Sequence, residues 1–412
     1  MLLRDELMSI FMAGVEAASA PAALAGALPK DPPQGRTIVL GCGKAAAAMA
    51  EVAAHHLPGD VTGCVVTRFG HGARGDTGGI TVIEASHPVP DSASLAAGRR
   101  IRELAATARK GDRVVFLLSG GGSSLLIDPL PGLTLERKAQ INEHLVKSGV
   151  PIAEINFVRS HLSQVKGGRL AAAASAAGDD MHSFVISDVV GDDPAVVASG
   201  PSIASAFDPA RALAILESSG WPVDAALSEL VLAGCAPSAP HHPVHVIANA
   251  ITALDAATAF ARKKGWHVIR IGDDLGGNAA FVGRRHAAIA LEHAAAGRRC
   301  LLISGGELTV TVRNRDGRGG PNLEYLTGLM AALPVDAPIA ALSCDSDGID
   351  GSEDNAGGYF DGTARGTAEA CEAALATNRS YDLFAKIGGL IMTGPTRTNV
   401  NDIRMIAVGE KP

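Results

Sequence analysis

Short apolar runs alternate with alanine-rich stretches of helical period along the first half of the chain. RTIVLG (36–41) is followed by KAAAAMAEVAAHHL and ITVIEA (80–85) by DSASLAAGRRIRELAATA, while VTGCVVT (61–67) and RVVFLLS (113–119) read as further strands. This alternation predicts a parallel sheet covered by helices. Buried parallel strands need no polar face, so VVFLL and FVIS can be apolar throughout. A second alternation runs through VHVIA, a helix from Ala250 to Lys264, HVIRIG, a helix over RRHAAIALEHAAA, then CLLIS, LTVTVR and PIAALS. The tail GGLIMTGPTRTNVNDIRMIAV ends in alternating apolar residues suited to closing a sheet. Between the two halves, GCAPSAPHHPVH (234–245) carries three prolines, breaks both periods and marks a linker. The expected architecture is α/β, with a doubly wound parallel-sheet domain over 1–235, a smaller α/β domain over 236–412, and an active site in the cleft between them.

Bulk properties narrow the function. A chain of 412 residues exceeds the usual growth of one core, which supports two domains. A 47% hydrophobic, 19% charged composition with 48 glycines describes a soluble enzyme rather than a fibrous or disordered chain. The net charge of -7, without a Lys/Arg block, argues against nucleic acid as a partner. No run reaches a membrane span, and MLLRDELMSIFMAG reads as an amphipathic helix rather than a signal sequence. The six cysteines are scattered without a C-x-x-C pair, so reduced thiols in a cytoplasm are expected.

The most telling stretch is Ser119-Gly120-Gly121-Gly122-Ser123-Ser124, directly after a buried strand. Glycines there let backbone N–H groups approach an anion, the following helix start adds partial positive charge, and serine hydroxyls can donate to the same oxygens. A shorter copy, Ser304-Gly305-Gly306, follows CLLIS. Gly41, Gly43 and Ala46 satisfy G-x-G-x-x-A, the dinucleotide fingerprint in its weaker form, yet the second strand is followed by Arg68 and no carboxylate until Asp76. Lys44 sits at the start of the next helix, where a lysine opposes the helix dipole unless an anion compensates. The segment is not a Walker A loop, since Ile38 and Ala45 stand where glycine and Ser/Thr are required.

Further candidates follow in order. Asn156, Arg159, His161, Lys166 and Arg169 cluster ahead of an alanine-rich helix and can form a basic wall for an anionic substrate, although His161 alone reads as structural. Asp188 follows a buried strand, with Asp192 and Asp193 in its loop; carboxylates at strand ends beside phosphates commonly hold Mg²⁺, and Asp193 before Pro194 also suits a turn. GRGGPN leaves Arg318 on a glycine hinge before a helix, a position suited to closing over a transferring phosphoryl group. SCDSDGIDGSEDNAGGYFDG is rich in acids, but Ile349 and Asp350 fall where an EF-hand needs a ligand and glycine.

Taken together, GCGKAA, SHPVPD (86–91), LLSGGGSSLL, NFVRSHLSQVKGGRLA, ISDVVGDDPAVVASGPS, SGGELTVTV with GRGGPNLEYL, and DSDGIDGSEDNAGG resemble the glycerate 2-kinase family with its C-terminal MOFRL domain. The resemblance implies a Rossmann-like first domain and ATP- and Mg²⁺-dependent transfer of phosphate to the 2-hydroxyl of D-glycerate. It matches the family's implicated lysine to Lys44 and its implicated arginine to Arg318. The expected site then comprises Lys44, Arg318 and Asp188 as catalytic groups; Ser119, Gly120, Gly121, Gly122, Ser123, Ser124, Gly305, Gly306 and Asn322 around the nucleotide; Arg159, Lys166 and His87 for glycerate; and Asp188, Asp192, Asp345 and Asp350 for the metal. A homodimer is an open expectation. Two other classes remain: an NAD(P)H-dependent hydroxypyruvate reductase, a label often given to family members, and a two-lobed binding protein without turnover.

Overall fold

The computed structural model describes residues 3–409, so the first two residues of the expected N-terminal helix pattern lie outside it. The chain forms two compact units, one of Ala20–Ile247 and one that joins residues up to Ser19 with those from Ala248 onward. In the unit Ala20–Ile247, strands β1 (Thr37–Cys42), β2 (Val61–Arg68), β3 (Ile80–Ala85), β4 (Arg113–Ser119), β5 (Met181–Ile186) and β6 (Val244–Ala248) form one sheet in the order β3-β2-β1-β4-β5-β6. The pairs from β3 through β5 are parallel. β1 and β4 are buried at every position, as their unbroken apolar runs require. The strand order reverses between β1 and β4, so their following loops diverge and leave a crevice at the carboxyl ends.

The proline-rich stretch does not end this unit. Beyond it β6 adds to the sheet beside β5, anchored where the Ser183 N–H donates to Pro243 O at 2.9 Å and Ser183 Oγ bonds His242 Nε2 at 2.8 Å. The division therefore falls at 247/248 rather than at 235/236. The N-terminal helix Leu3–Ala17 also lies with the other unit, because Leu7, Ile10, Phe11, Gly14 and Val15 make a buried stripe that packs on the helix Ala250–Lys263. Gly14 permits the approach, since a Cβ there would lie 2.8 Å from Ala253 O.

That second unit carries β7 (Val268–Gly272), β8 (Cys300–Ser304), β9 (Ile339–Asp345), β10 (Gly357–Phe360), β11 (Leu390–Ile391) and β12 (Asp402–Val408) in the order β11-β10-β9-β12-β8-β7. Only β7 and β8 pair in parallel; β12 runs antiparallel to both β8 and β9. LTVTVR, expected as a strand, is not one: Thr309 makes an isolated bridge to Asn278, and the Asn378 side chain draws the N–H groups of Arg313 and Asn314 to its Oδ1 at 2.7 and 3.1 Å.

Arg404 on β12 organises the interior of this unit. It is 1% exposed, donates from Nη1 to Gly305 O at 2.7 Å and from Nη2 to Gly306 O at 2.8 Å, and pairs with Asp402 Oδ2 at 2.6 Å. Asp402 Oδ1 in turn accepts from Asn322 Nδ2 at 2.7 Å. Asp350 caps the helix Pro321–Ala331, its two oxygens each taking a backbone N–H, from Asn322 and Leu323, at 2.9 Å. Replacing Arg404 by Met leaves Asp402 buried without its counter-charge and should lower unfolding stability by about 3–5 kcal/mol. Adding Asp402→Asn should restore part of that loss, measured by chemical denaturation.

Candidate active site

The crevice where the strand order reverses is built by glycines that let β1 and β4 touch. Gly41 lies within β1, where a Cβ would sit 2.5 Å from Leu117 O; at Gly43, with φ 122°, it would sit 2.3 Å from Ser119 O. Both glycines of the G-x-G-x-x-A pattern are thus accounted for by contact with the neighbouring strand. The Lys44 N–H donates to Gly120 O at 2.9 Å and the Ala45 N–H to Ser119 Oγ at 3.0 Å, which ties the two loops together. Lys44 lies just ahead of the helix Ala46–His56 rather than within its first turn.

The glycine run turns through Gly121, whose φ of 81° opens the short helix Gly122–Leu125. The first N–H groups of a helix have no intrahelical acceptor, and here they begin at the carboxyl end of β4. A Cβ on Gly121 would meet His87 Nε2 at 3.1 Å and Lys44 Cγ at 3.2 Å, so Lys44 and His87 flank this residue. Gly121, Ser123, Ser124 and His87 line a cavity of about 490 Å³ together with Pro88, Val89, Pro90, Asn142, Val146 and Arg159. Ser119, by contrast, is buried and acts through its bond to Ala45.

The basic wall resolves into one pocket residue and a scaffold. Arg159 lines the cavity, and burial lowers its pKa. His161 is buried between Phe157 and Phe207, with Nδ1 donating to Phe157 O at 2.8 Å and Nε2 accepting from the Asp208 N–H at 3.0 Å. Arg169 donates to Ser160 O at 2.9 Å and stacks over Phe207. Lys166, expected on the wall, is 1% exposed beneath the glycine loop.

The acids divide in the same way. Ile186 at the end of β5 pairs with Ser119, so Asp188, two residues on and half-buried, stands at the same edge of the sheet one strand over from the glycine run. Asp192 is in its loop at φ 53°, and Asp193 Oδ1 takes the Ala195 N–H, a turn contact. In the other unit, Asp345 ends β9 and accepts the Asp347 N–H at 2.9 Å. Asp350 spends both oxygens on the helix start, and burial pushes its carboxyl up to about 7. Among the described residues, no group of three or more His, Cys, Asp or Glu could by itself hold a metal. Asp188 and Asp192 both lie in the loop that follows β5.

Gly305 and Gly306 turn their carbonyls inward to Arg404, and a Cβ on Gly306 would lie 2.2 Å from the Leu275 nitrogen. Asn322 is buried between Asp402 and Ser343. The second glycine copy is therefore a packed turn. Arg318, expected on a free hinge, is held: its guanidinium lies 2.7 Å from Glu353 Oε2, 3.3 Å from Asp382 Oδ1 and over the Tyr381 ring. Its backbone is fixed too, between Asn378 O and the Tyr381 N–H.

Sequence reasoning passed over Ala198 and Ser199. Both adopt left-handed φ, 55° and 63°, a conformation that L-residues hold only when their surroundings impose it. They pack against the glycine run: Ser199 Oγ bonds Ser123 Oγ at 2.8 Å, and a Cβ on Gly122 would meet the Ala198 Cβ at 2.5 Å. The one available signal was the ASGPS stretch after the acid loop.

Comparison with known proteins identifies the family. Residues 6–232 match the family model described as Domain of unknown function (DUF4147), and residues 300–402 match the MOFRL family. A "D-glycerate 2-kinase" of Thermotoga maritima is 38% identical over 89% of this chain and 89% of its own. The crystal structure of a glycerate kinase from Thermotoga maritima superposes with a TM-score of 0.86 at 35% identity, covering 98% of this chain and 99% of that one. A relative from Agrobacterium vitis, 42% identical over 98% of this chain and 94% of its own, carries hydroxypyruvate reductase as a provisional name. The chain belongs to the glycerate 2-kinase family, with a DUF4147 region followed by a MOFRL domain.

Gly121→Val should disturb the turn and crowd both His87 and Lys44. Turnover should fall by about 100-fold, because misplacing a positioning element by an ångström costs that much. The far-ultraviolet circular dichroism should stay near that of the wild type.

Proposed function

We propose that this protein transfers the γ-phosphoryl group of ATP to the 2-hydroxyl of D-glycerate, giving 2-phosphoglycerate and ADP. One observation carries the reading: Lys44 and His87 flank the left-handed Gly121 at a cavity that Arg159 also lines. That arrangement offers an anion cradle, a cation beside it and a guanidinium for a carboxylate in one place.

Phosphoryl transfer depends mainly on positioning and charge stabilisation. The glycerate hydroxyl oxygen attacks the γ-phosphorus, the bond to the oxygen of ADP breaks, and the hydroxyl proton is released to water. In this reading the N–H groups opening the helix Gly122–Leu125, with Ser123 and Ser124, hold phosphate oxygens, and Lys44 neutralises charge that builds on the transferring group. Arg159 takes the glycerate carboxylate, for which a planar guanidinium is well matched, and His87 orients the substrate from across Gly121. Asp188 and Asp192 are the residues that would hold Mg²⁺, which supplies charge neutralisation on the phosphates. Arg318 contributes only by exchanging its contacts with Glu353 and Asp382 for the phosphoryl group. A reducing cytoplasm suits the six free cysteines.

The decisive assay incubates the protein with ATP, Mg²⁺ and D-glycerate and passes the product to enolase without phosphoglycerate mutase. Signal is expected; ADP without enolase signal would indicate the 3-isomer, and oxidation of NAD(P)H by hydroxypyruvate with no ADP formed would overturn the kinase reading. Lys44→Ala should lower kcat by about 10²–10³-fold, the range found for removing one stabilising donor. Arg318→Ala should also reduce kcat, and unchanged turnover would confine Arg318 to its ion pairs.

A further inference from the structure

Lys166 is the buried cation that the proposed chemistry leaves without a task. Its Nζ donates to Ser123 O at 2.8 Å and lies 3.4 Å from Ala198 O. It thereby holds both loops at the floor of the cradle, the glycine run on one side and the left-handed Ala198–Ser199 turn on the other. The two residues after it extend the clamp, with the Gly167 N–H on Ser199 O at 3.0 Å and the Gly168 N–H on Gly200 O at 2.8 Å. Lys166 is 1% exposed, so it does not reach the substrate itself.

We propose that Lys166 is a positioning residue that acts from beneath the glycine run, fixing its N–H groups toward the phosphates of ATP and lending them an unscreened positive charge. The inference rests on the reading of that run as an anion cradle. Among the described residues, no carboxylate bonds or pairs with the ammonium. Cys42 at the end of β1 stays a neutral thiol, pushed up to about 12 by burial, while Arg159 adds like charge; the buried Lys138 of the helix Leu135–Lys147 is itself held well below the usual lysine range by burial and by the Lys166 charge. The acid Asp128 acts on Lys138. Burial accordingly lowers the Lys166 pKa to about 7, and the like charge of Arg159 reinforces the shift.

A bound polyanion above the loop supplies the missing counter-charge and favours the ammonium. ATP binding should then take up a proton in the window just above pH 7, and affinity should weaken as pH rises through it. Arginine stays charged across this range and keeps donors to both carbonyls, whereas methionine is neutral at every pH.

Calorimetric binding of ATP with saturating Mg²⁺, measured from about pH 6.5 to 9 in buffers of different ionisation enthalpy, tests this by direct proton counting. The wild type should take up a fraction of a proton per ATP near pH 7.5 and lose about tenfold in affinity across the range, the change that a rise of about one unit in the Lys166 pKa on binding produces. Lys166→Arg should bind without that uptake or loss. Lys166→Met should bind at least tenfold more weakly than wild type at the acid end, and the gap should narrow without closing at the alkaline end, where the neutral amine of the wild type still donates to the two carbonyls. Absence of uptake in the wild type, or the same uptake in either variant, would overturn the role of Lys166 while leaving the cradle intact. Undiminished ATP affinity in Gly121→Val would instead remove the cradle reading itself.

Discussion

The contact between β1 and β4 is the constraint on which the candidate site depends. These strands meet where the sheet order reverses, and their ends touch backbone to backbone because Gly43 stands beside Ser119 with no room for a side chain. From that contact the rest follows in order. The Lys44 and Ala45 N–H groups reach across to Gly120 and Ser119, the glycine run turns away through Gly121, and the Lys44 side chain is left against the same residue as His87. A larger residue at position 43 would part the strands and disperse groups that are useful only together.

Two stretches of nearly identical sequence, Ser119-Gly120-Gly121 and Ser304-Gly305-Gly306, take opposite roles for a physical reason. The first opens onto a crevice with a helix start beside it. The second is drawn inward by Arg404, whose guanidinium takes both glycine carbonyls as acceptors. The difference lies not in the glycines but in a charged residue about a hundred positions later.

Much of this was legible in the chain. The apolar runs and helical periods placed β1 to β5 of the first sheet, and the strand-end glycines with Lys44 marked an expected anion site at the end of β4. What escaped depended on contacts distant in sequence. LTVTVR has the composition of a strand, but Asn378 captures its backbone; the proline-rich stretch looks like a boundary, yet β6 returns to the first sheet beyond it. Lys166 and Arg159 were indistinguishable as basic residues in one segment, and only burial separates the cation beneath the loop from the one that lines the cavity. Ala198 and Ser199 are marked in the chain only by the ASGPS stretch, because backbone strain is imposed by neighbours rather than written in residue type.

The position of β12 has a consequence for how the protein is made. It lies between β8 and β9, paired with both, so the second sheet has no continuous centre until residue 408 has left the ribosome. The helix Leu3–Ala17 is made ahead of the whole first sheet, and its partner, Ala250–Lys263, only after it. Its apolar stripe is exposed for that interval, while Ala20–Ile247 can complete its own strands meanwhile. Vectorial synthesis thus matures the unit bearing Lys44 well before the one bearing Arg318, and a nascent chain stopped short of β12 carries a finished first sheet beside a second one split in two.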